Sequence, residues 1–499
     1  MSSRPELAAG LAGAGAGAGA RRLASISSFG GEEPVRLPFE LQRRGVAFIV
    51  IGALAMAAVA VATGVRPIVG VGMVAAVAAA LAVALNEVLG LVLLAVLAAS
   101  TSGLARGVPI PGVRFSEVLI GGVGIVLLTC ARRFVRWSAV DWLALAYAVA
   151  TFVIGGFDVL ARGQALHFSE LQTLLGPCQF LLLYRATVVT ARTPRRRRLA
   201  MRLMIWASVP VSLLALGQQA NFPGVRSLLV TLTRNNVYAA GSATARVTGP
   251  FPLWHNLGGY LLLILLATIA LRMRRVEGVV RPRLMLAIAL LDTVALVQTL
   301  DLGPLGGLVA GVVILGIWLG DLRTLSRAAI GAVIVAAIGM AVFGSRLDAR
   351  FTQEFSRAPG AQRSALVPQT IQYRFTLWSD ELLPLLRGHM VAGYGPRLPP
   401  QLQNFPYTES QYVNLLYRGG IVLLAVWAAL FVAIGAAGAR STRDRDPFQH
   451  ALGAAVATSV ICLAFMQILE AYFVDDGTPQ VLWMLLGLLS FHEPALGRV

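Results

Sequence analysis

Lysine is absent from the sequence, and charged residues of any kind are scarce. Only 13% of the 499 residues are charged, whereas a typical soluble domain has about 25%, so the composition excludes a soluble enzyme. The absence of lysine also excludes a Walker A nucleotide site and any enzyme that forms a lysine Schiff base. With 57% hydrophobic residues and a mean hydropathy of +0.72, the composition indicates a polytopic membrane protein.

Cysteine and histidine, the residues that build disulfide frameworks and metal centres, are also rare. The three cysteines lie within apolar runs, which argues against both a disulfide framework and a zinc cluster. The five histidines share no metal-ligand spacing, so the sequence predicts neither a metal nor another cofactor. These residues are Cys130, Cys178, Cys462, His167, His255, His389, His450 and His492.

Apolar runs of spanning length follow one another almost to the C-terminus, which predicts an all-α bundle of about 14 transmembrane helices at ~20 residues each. Residues 1–44 are polar and contain a Gly-Ala stretch, so we expect a disordered cytoplasmic tail. Residues 45–217 would form an N-terminal transmembrane bundle, and 441–499 the C-terminal transmembrane helices. The candidate spans are 46–64, 67–85, 86–100, 114–131, 138–156, 169–187, 199–217, 253–271, 284–300, 304–320, 326–344, 411–437, 450–469 and 478–491.

The 42 basic residues, all arginine, exceed the 24 acidic residues by 18. Nucleic-acid binding explains this excess poorly, because the arginines are scattered between hydrophobic spans. Arginine clusters recur at alternate loops, so the positive-inside rule places these loops and both termini in the cytoplasm. We therefore expect a multi-pass protein of the inner (cytoplasmic) membrane. The clusters lie at 132–133, 195–198, 272–275, 323–327 and 440–445.

Two longer polar stretches, about 218–252 and 344–410, then face the outside. The second has room for a small helical extracytoplasmic domain, and Gln372 to Leu386 has the apolar spacing of a short amphipathic helix. Arg246 has no acidic residue nearby in the sequence and lies just before a span. An uncompensated guanidinium at such a position indicates function, and its planar fork suits a phosphate group.

Three short motifs follow one another in residues 200–440. Residues 245–260 read ARVTGPFPLWHNLGGY, and residues 373–378 read YRFTLW, followed by the turn VAGYGP at 391–396. Residues 408–420 read TESQYVNLLYRGG, with the glycine pair expected to open a long helix. In this order, the motifs resemble those of the O-antigen ligase/polymerase family of bacterial membrane glycosyltransferases.

This resemblance implies a catalytic region at 218–440 whose donor is a glycan linked through diphosphate to a polyprenol. An acceptor hydroxyl attacks the anomeric carbon, and the polyprenyl diphosphate leaves without a metal. The matching positions imply that Arg246 and Arg374 hold the diphosphate. Glu409 is the candidate base, with His255 as the competing base. Further expected substrate contacts are Arg234, Trp378, Tyr394, Arg397 and Tyr412.

The sequence departs from the family pattern at two places. Glu409 occupies the position of the ligases' histidine, and residues 301–304 (DLGP) replace a frequent Ser-Arg-Gly. The first departure favours polymerisation, or transfer to an acceptor other than lipid A core.

Two other functions fit a protein of this class. A polysaccharide or lipid-linked glycan transporter, including a flippase, would have a similar number of spans. Such proteins tend to show internal repeats and ionisable groups near mid-membrane, and we find no clear repeat. A cell-wall synthase of the shape, elongation and division type has fewer spans and a different motif order. We therefore expect a glycosyltransferase that meets its donor, acceptor and lipid bilayer at the outer face.

Overall fold

The computed structural model describes residues 82–106, 113–129, 135–163, 165–234, 246–320, 368–397, 408–473 and 477–489, with a few single positions between 326 and 352. The predicted tail, the span 46–64, most of the span 67–85 and the span 326–344 lie outside the described residues, as do the clusters 132–133 and 323–327.

The elements in the described ranges are helices, as the all-α prediction requires. Polar caps explain where several of them begin: Ser138 forms a capping box with Asp141, and Asp301 accepts a hydrogen bond from the Gly303 amide. In chain order the helices are α1 Glu87–Ala98, α2 Phe115–Thr129, α3 Ala139–Ala161, α4 Phe168–Thr190, α5 Pro194–Gln219, α6 Val225–Thr233, α7 Trp254–Met273, α8 Pro282–Gln298, α9 Leu302–Leu319, α10 Gln369–Thr376 (extended by a π turn, Leu377–Leu382), α11 Gln411–Ser441, α12 Pro447–Leu469 and α13 Thr478–Gly487.

Six of these helices (α3, α5, α7, α9, α11 and α12) are long and apolar enough to cross a membrane. Helices occupy the candidate spans that fall within the described ranges, with ends shifted by a few residues. The chain is thus an all-helical protein of multi-pass membrane type, and the number of about 14 spans stays a prediction.

Helix α7 lies at the centre of the bundle. Nearly all of its residues are buried, and it packs against α5, α8, α9, α12 and α13. A helix surrounded in this way is apolar around its whole circumference. Its central position fixes Trp254 and His255, the first two residues of α7, at one end of the bundle.

Helices α11 and α12 pack closely through glycine. A methyl group on Gly438 would lie 2.9 Å from the carbonyl oxygen of Gly453, and one on Gly453 would lie 2.7 Å from that of Gly438. Small residues let the backbones of membrane helices approach each other in this way. The contact fixes α12 beside α11, so the end of α12 meets the start of α11.

Three of the predicted arginine clusters lie at one end of the bundle, here called the arginine-rich end. Arg198 is 3.5 Å from Asp446, and Arg202 donates hydrogen bonds to the carbonyls of Gly278 and Val279. The loops at 195–198, 272–281 and 440–446 therefore share one side, as the alternation of clusters predicts.

The predicted amphipathic segment is confirmed as α10. The expected opening of a long helix at Gly419-Gly420 agrees with the structure, because these two glycines have non-helical backbone angles and separate a short first part of α11, which begins at Gln411, from the long part that runs to Ser441. Gly420 has φ 62°, and a methyl group there would lie 2.1 Å from the Val391 carbonyl oxygen. Only glycine permits this backbone conformation and this close approach.

Candidate functional site

The segments that contain the three motifs meet at the end of the bundle opposite the arginine-rich end. Helix α7 runs from Trp254 at this end to Met273 at the arginine-rich end, and α12 ends here at Leu469. The start of α11 and helix α10 join them. We call the charged side chains gathered here the terminal cluster: Arg246, His255, Asp301, Arg374, Glu409 and Glu470.

Arg374 on α10 lies between two carboxylates of the terminal cluster. Its Nε and Nη2 donate to Glu409 Oε2 at 3.0 and 2.7 Å, and Nη2 also donates to Glu470 Oε2 at 3.2 Å. Glu409 precedes α11 and Glu470 follows α12, so one guanidinium joins three elements. The three side chains are 17%, 29% and 20% exposed, which leaves the cluster open to a ligand.

Hydrogen bonds on both sides of Glu409 position its carboxylate. Trp378 Nε1 donates to the carbonyl of Thr408 at 2.9 Å, and Ser410 Oγ donates to the carbonyl of Gln467 at 3.3 Å. Glu409 itself has φ 53°, in the left-handed region of backbone conformation that residues other than glycine rarely adopt. The surrounding contacts therefore hold a strained residue in place, a pattern common at functional sites.

His255 lies beside Glu470 in the buried part of the cluster. Its side chain is 5% exposed, and Nδ1 is 3.9 Å from Glu470 Oε1. The ring of Tyr472 meets the imidazole edge to face, with centroids 6.0 Å apart. Glu470 therefore contacts Arg374 through one carboxylate oxygen and faces His255 with the other.

Arg246 approaches the cluster from the segment before α7. Its guanidinium carbon lies 4.4 Å from the ring centroid of Trp254, a cation–π distance. The amides of Thr248 and Gly249 donate to Gln218 Oε1 at 3.1 and 2.9 Å, which ties this segment to the end of α5. The backbone near Arg246 is thus fixed by polar contacts.

Asp301, at the start of α9, is under the electrostatic influence of both guanidiniums. Burial raises the pKa of its carboxyl, and the charges of His255, Arg246 and Arg374 oppose the rise. The charges of two arginines that are 128 positions apart in the sequence thus act on one carboxyl group. Asp301 is the first residue of the segment 301–304, which stands where the family has a frequent Ser-Arg-Gly, and it belongs to the terminal cluster.

Glu470 resembles Asp301 in its electrostatics. Burial is the main cause that raises the pKa of the Glu470 carboxyl, and the neighbouring carboxylates of Glu409 and Asp301 raise it further. His255 and Arg374 act in the opposite direction. Both of these partly buried carboxyls thus take up a proton more readily than a solvated one, because burial penalises the ionised form.

The charge balance of the terminal cluster depends on these protons. With every carboxyl ionised, two arginines face three carboxylates, and an anionic ligand would be repelled. With Asp301 and Glu470 protonated, the two guanidiniums face only Glu409 and the cluster has a net positive charge. The arrangement can therefore bind an anion when the carboxyls of Asp301 and Glu470 are neutral.

Trp378 and Tyr394 contact other parts of the protein, which does not favour the expected role of stacking on a sugar ring. Trp378 is 9% exposed, and its indole N–H donates a hydrogen bond to the Thr408 carbonyl. Tyr394 stacks with both His389 and Tyr417, and its hydroxyl donates to the Leu385 carbonyl at 2.5 Å. These contacts leave both aromatic rings in structural positions.

Two of the other expected substrate contacts, Arg397 and Tyr412, have hydrogen-bond partners outside the terminal cluster. Arg397 forms a two-point ion pair with Glu170 at the start of α4. Tyr412 donates its hydroxyl to the Ala464 carbonyl at 2.7 Å, which joins α11 to α12. Arg234 follows the last turn of α6 with φ 53°.

The Gly-Tyr-Gly turn packs against the interruption of α11. The Tyr394 amide donates to the Tyr417 carbonyl at 2.6 Å, and the Ile421 amide donates to the Met390 carbonyl at 2.8 Å. A methyl group on Gly393 would lie 2.5 Å from the Tyr417 carbonyl oxygen. Two motifs of the sequence therefore form one backbone junction that anchors the loop carrying α10.

Asp301, Glu470 and Tyr472 are the members of the site that sequence reasoning missed. The difference between residues 301–304 and the family's Ser-Arg-Gly could have drawn attention to Asp301. No feature of the sequence indicates Glu470, because its contact with Arg374 depends on which helix ends lie next to each other. Among the described residues, no group of three or more His, Cys, Asp or Glu side chains has a metal-holding arrangement.

The fold defines a helical protein of the multi-pass membrane class, with a charged cluster at one end. No protein-family profile and no curated protein sequence matches the chain. The likeness to the O-antigen ligase/polymerase family therefore rests on the three motifs.

Proposed function

We propose that the protein is a membrane glycosyltransferase of the O-antigen ligase/polymerase type. It polymerises polyprenyl-diphosphate-linked oligosaccharides, or transfers them to an acceptor hydroxyl, at the outer face of the cytoplasmic membrane. The observation that supports this proposal best is that Arg246 and Arg374 lie at the same end of the bundle and both act on the charge of the Asp301 carboxyl. Two fixed guanidiniums at the end of a membrane bundle suit a lipid-linked diphosphate.

The reaction needs a base for the acceptor and charge stabilisation for the leaving group. The acceptor oxygen forms a bond to the anomeric carbon, and the bond from that carbon to the diphosphate oxygen breaks with its electron pair. The hydroxyl proton passes to a base of the protein. Arg246 and Arg374 stabilise the charge that develops on the diphosphate, which makes a metal unnecessary.

Glu409 is the base that the geometry favours over His255. Both hydrogen bonds from Arg374 end on Glu409 Oε2, so Oε1 takes no part in this ion pair. The Glu409 side chain is 29% exposed and can meet an acceptor, whereas the His255 side chain is 5% exposed. In this proposal His255 orients Glu470, which in turn positions Arg374.

The test is the Arg246→Ala and Arg374→Ala variants in cells that make the lipid-linked glycan. We expect each variant to insert normally and to lower product formation about 100-fold or more, the effect of removing one oxyanion donor. Lipid-linked substrate should accumulate. Arg387→Ala is a matched control, because Arg387 is exposed on the same loop.

Normal polymer from either variant would refute the proposal. Proteoliposomes that move labelled lipid-linked sugar across the bilayer without forming new glycosidic bonds would instead identify a transporter.

A further inference from the structure

The arginine-rich end contains a cavity that the proposed reaction does not use. It measures about 820 Å³ and lies between α5, the end of α7 and the start of α8. Four arginines line it, Arg202, Arg272, Arg275 and Arg281, together with one acidic residue, Glu277. The cavity is therefore strongly cationic, and it is separated from the terminal cluster by the length of α7.

Arg202 fixes one wall of the cavity. Its Nε donates to the Val279 carbonyl at 2.6 Å and its Nη2 to the Gly278 carbonyl at 2.7 Å, so it holds the loop that follows α7. Arg202 lies eight residues after the start of α5, about 12 Å along the helix at 1.5 Å per residue. The loop is thus drawn toward the membrane-spanning part of the bundle.

The other three arginines of the cavity outnumber its one carboxylate, Glu277. Arg272, Arg275 and Arg281 are exposed, and none of them forms an ion pair with a carboxylate of the described residues. Helix α8 begins at Pro282 in the same wall, and its N-terminus adds a positive partial charge. The cavity therefore offers three guanidiniums and a helix terminus to an anionic group.

The remaining wall is apolar and faces the lipid side of the bundle. Trp206 and Leu284 line the cavity and are 43% and 36% exposed. A soluble anion would gain nothing from these residues, whereas a phospholipid places acyl chains beside them. Tryptophan is also the residue favoured at the head-group level of a bilayer.

We propose that this cavity binds the phosphate head group of an anionic phospholipid of the surrounding leaflet. Arg272, Arg275 and Arg281 contact the phosphate, Arg202 positions the loop, and Trp206 and Leu284 contact the acyl chains. Basic pockets between transmembrane helices are suited to anionic head groups. Each arginine contributes about a fivefold factor to the affinity.

The test uses the full chain in detergent, titrated separately with phosphatidylglycerol, phosphatidylcholine and inorganic phosphate, with bound molecules counted by native mass spectrometry. We expect one saturable phosphatidylglycerol site, at least tenfold tighter than phosphatidylcholine. The triple variant Arg272→Gln, Arg275→Gly, Arg281→Gln should weaken phosphatidylglycerol binding at least tenfold.

The matched control is Arg195→Gln, Arg443→Gln, Arg445→Gln, which removes the same charge from exposed arginines at this end but outside the cavity. We expect it to change the affinity less than twofold. Equal losses in the two triple variants would show general charge attraction and overturn the proposal. Binding of inorganic phosphate as tight as that of phosphatidylglycerol would overturn it in favour of a soluble anion.

The single variant Arg275→Gly guards against loss of folding. Arg275 has φ 51°, so glycine removes its guanidinium while relieving backbone strain. We expect the folded single variant to bind phosphatidylglycerol several-fold more weakly, and unchanged binding would contradict the role of Arg275.

Discussion

Two groups of charged residues, one between helices and one at the end of the bundle, show opposite arrangements. Between α3 and α4, Arg185 donates to Asp141 at 2.9 Å, and the two side chains are 8% and 0% exposed. Asp141 also accepts from the amide and hydroxyl of Ser138, and Arg185 donates to the Val135 carbonyl. Here one cation meets one anion, and polar contacts surround both.

The terminal cluster has neither this balance nor this enclosure. Two arginines face three carboxylates, and the side chains of Arg374, Glu409 and Glu470 are between 17% and 29% exposed. A balanced, enclosed pair has no capacity for a ligand, so its role is structural. An unbalanced, accessible cluster can change its charge by binding protons or an anion.

The largest expected effect on stability comes from breaking the enclosed pair. Asp141→Asn leaves the buried Arg185 guanidinium uncompensated and should lower the free energy of unfolding by about 3–5 kcal/mol. Urea unfolding of the full chain in micelles measures this loss, while transfer activity per folded molecule should stay unchanged. An unaltered unfolding midpoint would show that the pair is not structural.

The double variant Asp141→Leu, Arg185→Met sharpens the same point. Because it removes both charges, it should recover most of the stability that Asp141→Asn loses. A double variant as unstable as the single one would mean that the hydrogen bonds, and not the charge balance, decide the stability of this pair.

The second effect is a pH dependence that only the terminal cluster should show. Burial raises the pKa of Glu470, so the carboxyl is neutral below that raised pKa and ionises as the pH increases through it. The new negative charge opposes an anion beside Arg374. The affinity for undecaprenyl diphosphate should therefore fall several-fold with increasing pH.

Glu470→Gln should bind this lipid with a weaker dependence on pH, because glutamine stays neutral. Asp301 also has a raised pKa, so part of the dependence should remain. Glu409→Gln is a useful comparison, since it removes a charge but leaves Glu470 to titrate. An identical pH profile for the natural protein and Glu470→Gln would exclude Glu470 as the titrating group.

The same contrast explains how much the sequence could predict. Hydropathy and caps locate the helices because these signals are local, and the amphipathic spacing at 372–386 predicts α10 for the same reason. Alternating arginine clusters predict which loops share an end. Glu470 could not be predicted, because it meets Arg374 across 96 positions, and only packing decides which helix ends are neighbours.

Trp378 and Tyr394 illustrate the other limit. An aromatic residue near a membrane surface can face a sugar, the bilayer or the protein, and the sequence does not distinguish these environments. In the structure, Trp378 is 9% exposed beside Thr408, and Tyr394 lies between His389 and Tyr417. These positions depend on the junction of the Gly-Tyr-Gly turn with α11, a contact between distant segments.

The smallest expected effect comes from Arg397→Gln, which removes the same charge as Arg374→Gln from the same end of the bundle. Arg397 pairs with Glu170, and the two side chains are 25% and 12% exposed. A pair with this much solvent contact contributes about 1 kcal/mol or less to stability. Product formation should stay within about twofold of the natural protein, while Arg374→Gln should lose it. If Arg397→Gln loses product to the same extent, the substrate reaches beyond the terminal cluster to the start of α4, and Arg397 contacts it as the sequence predicts.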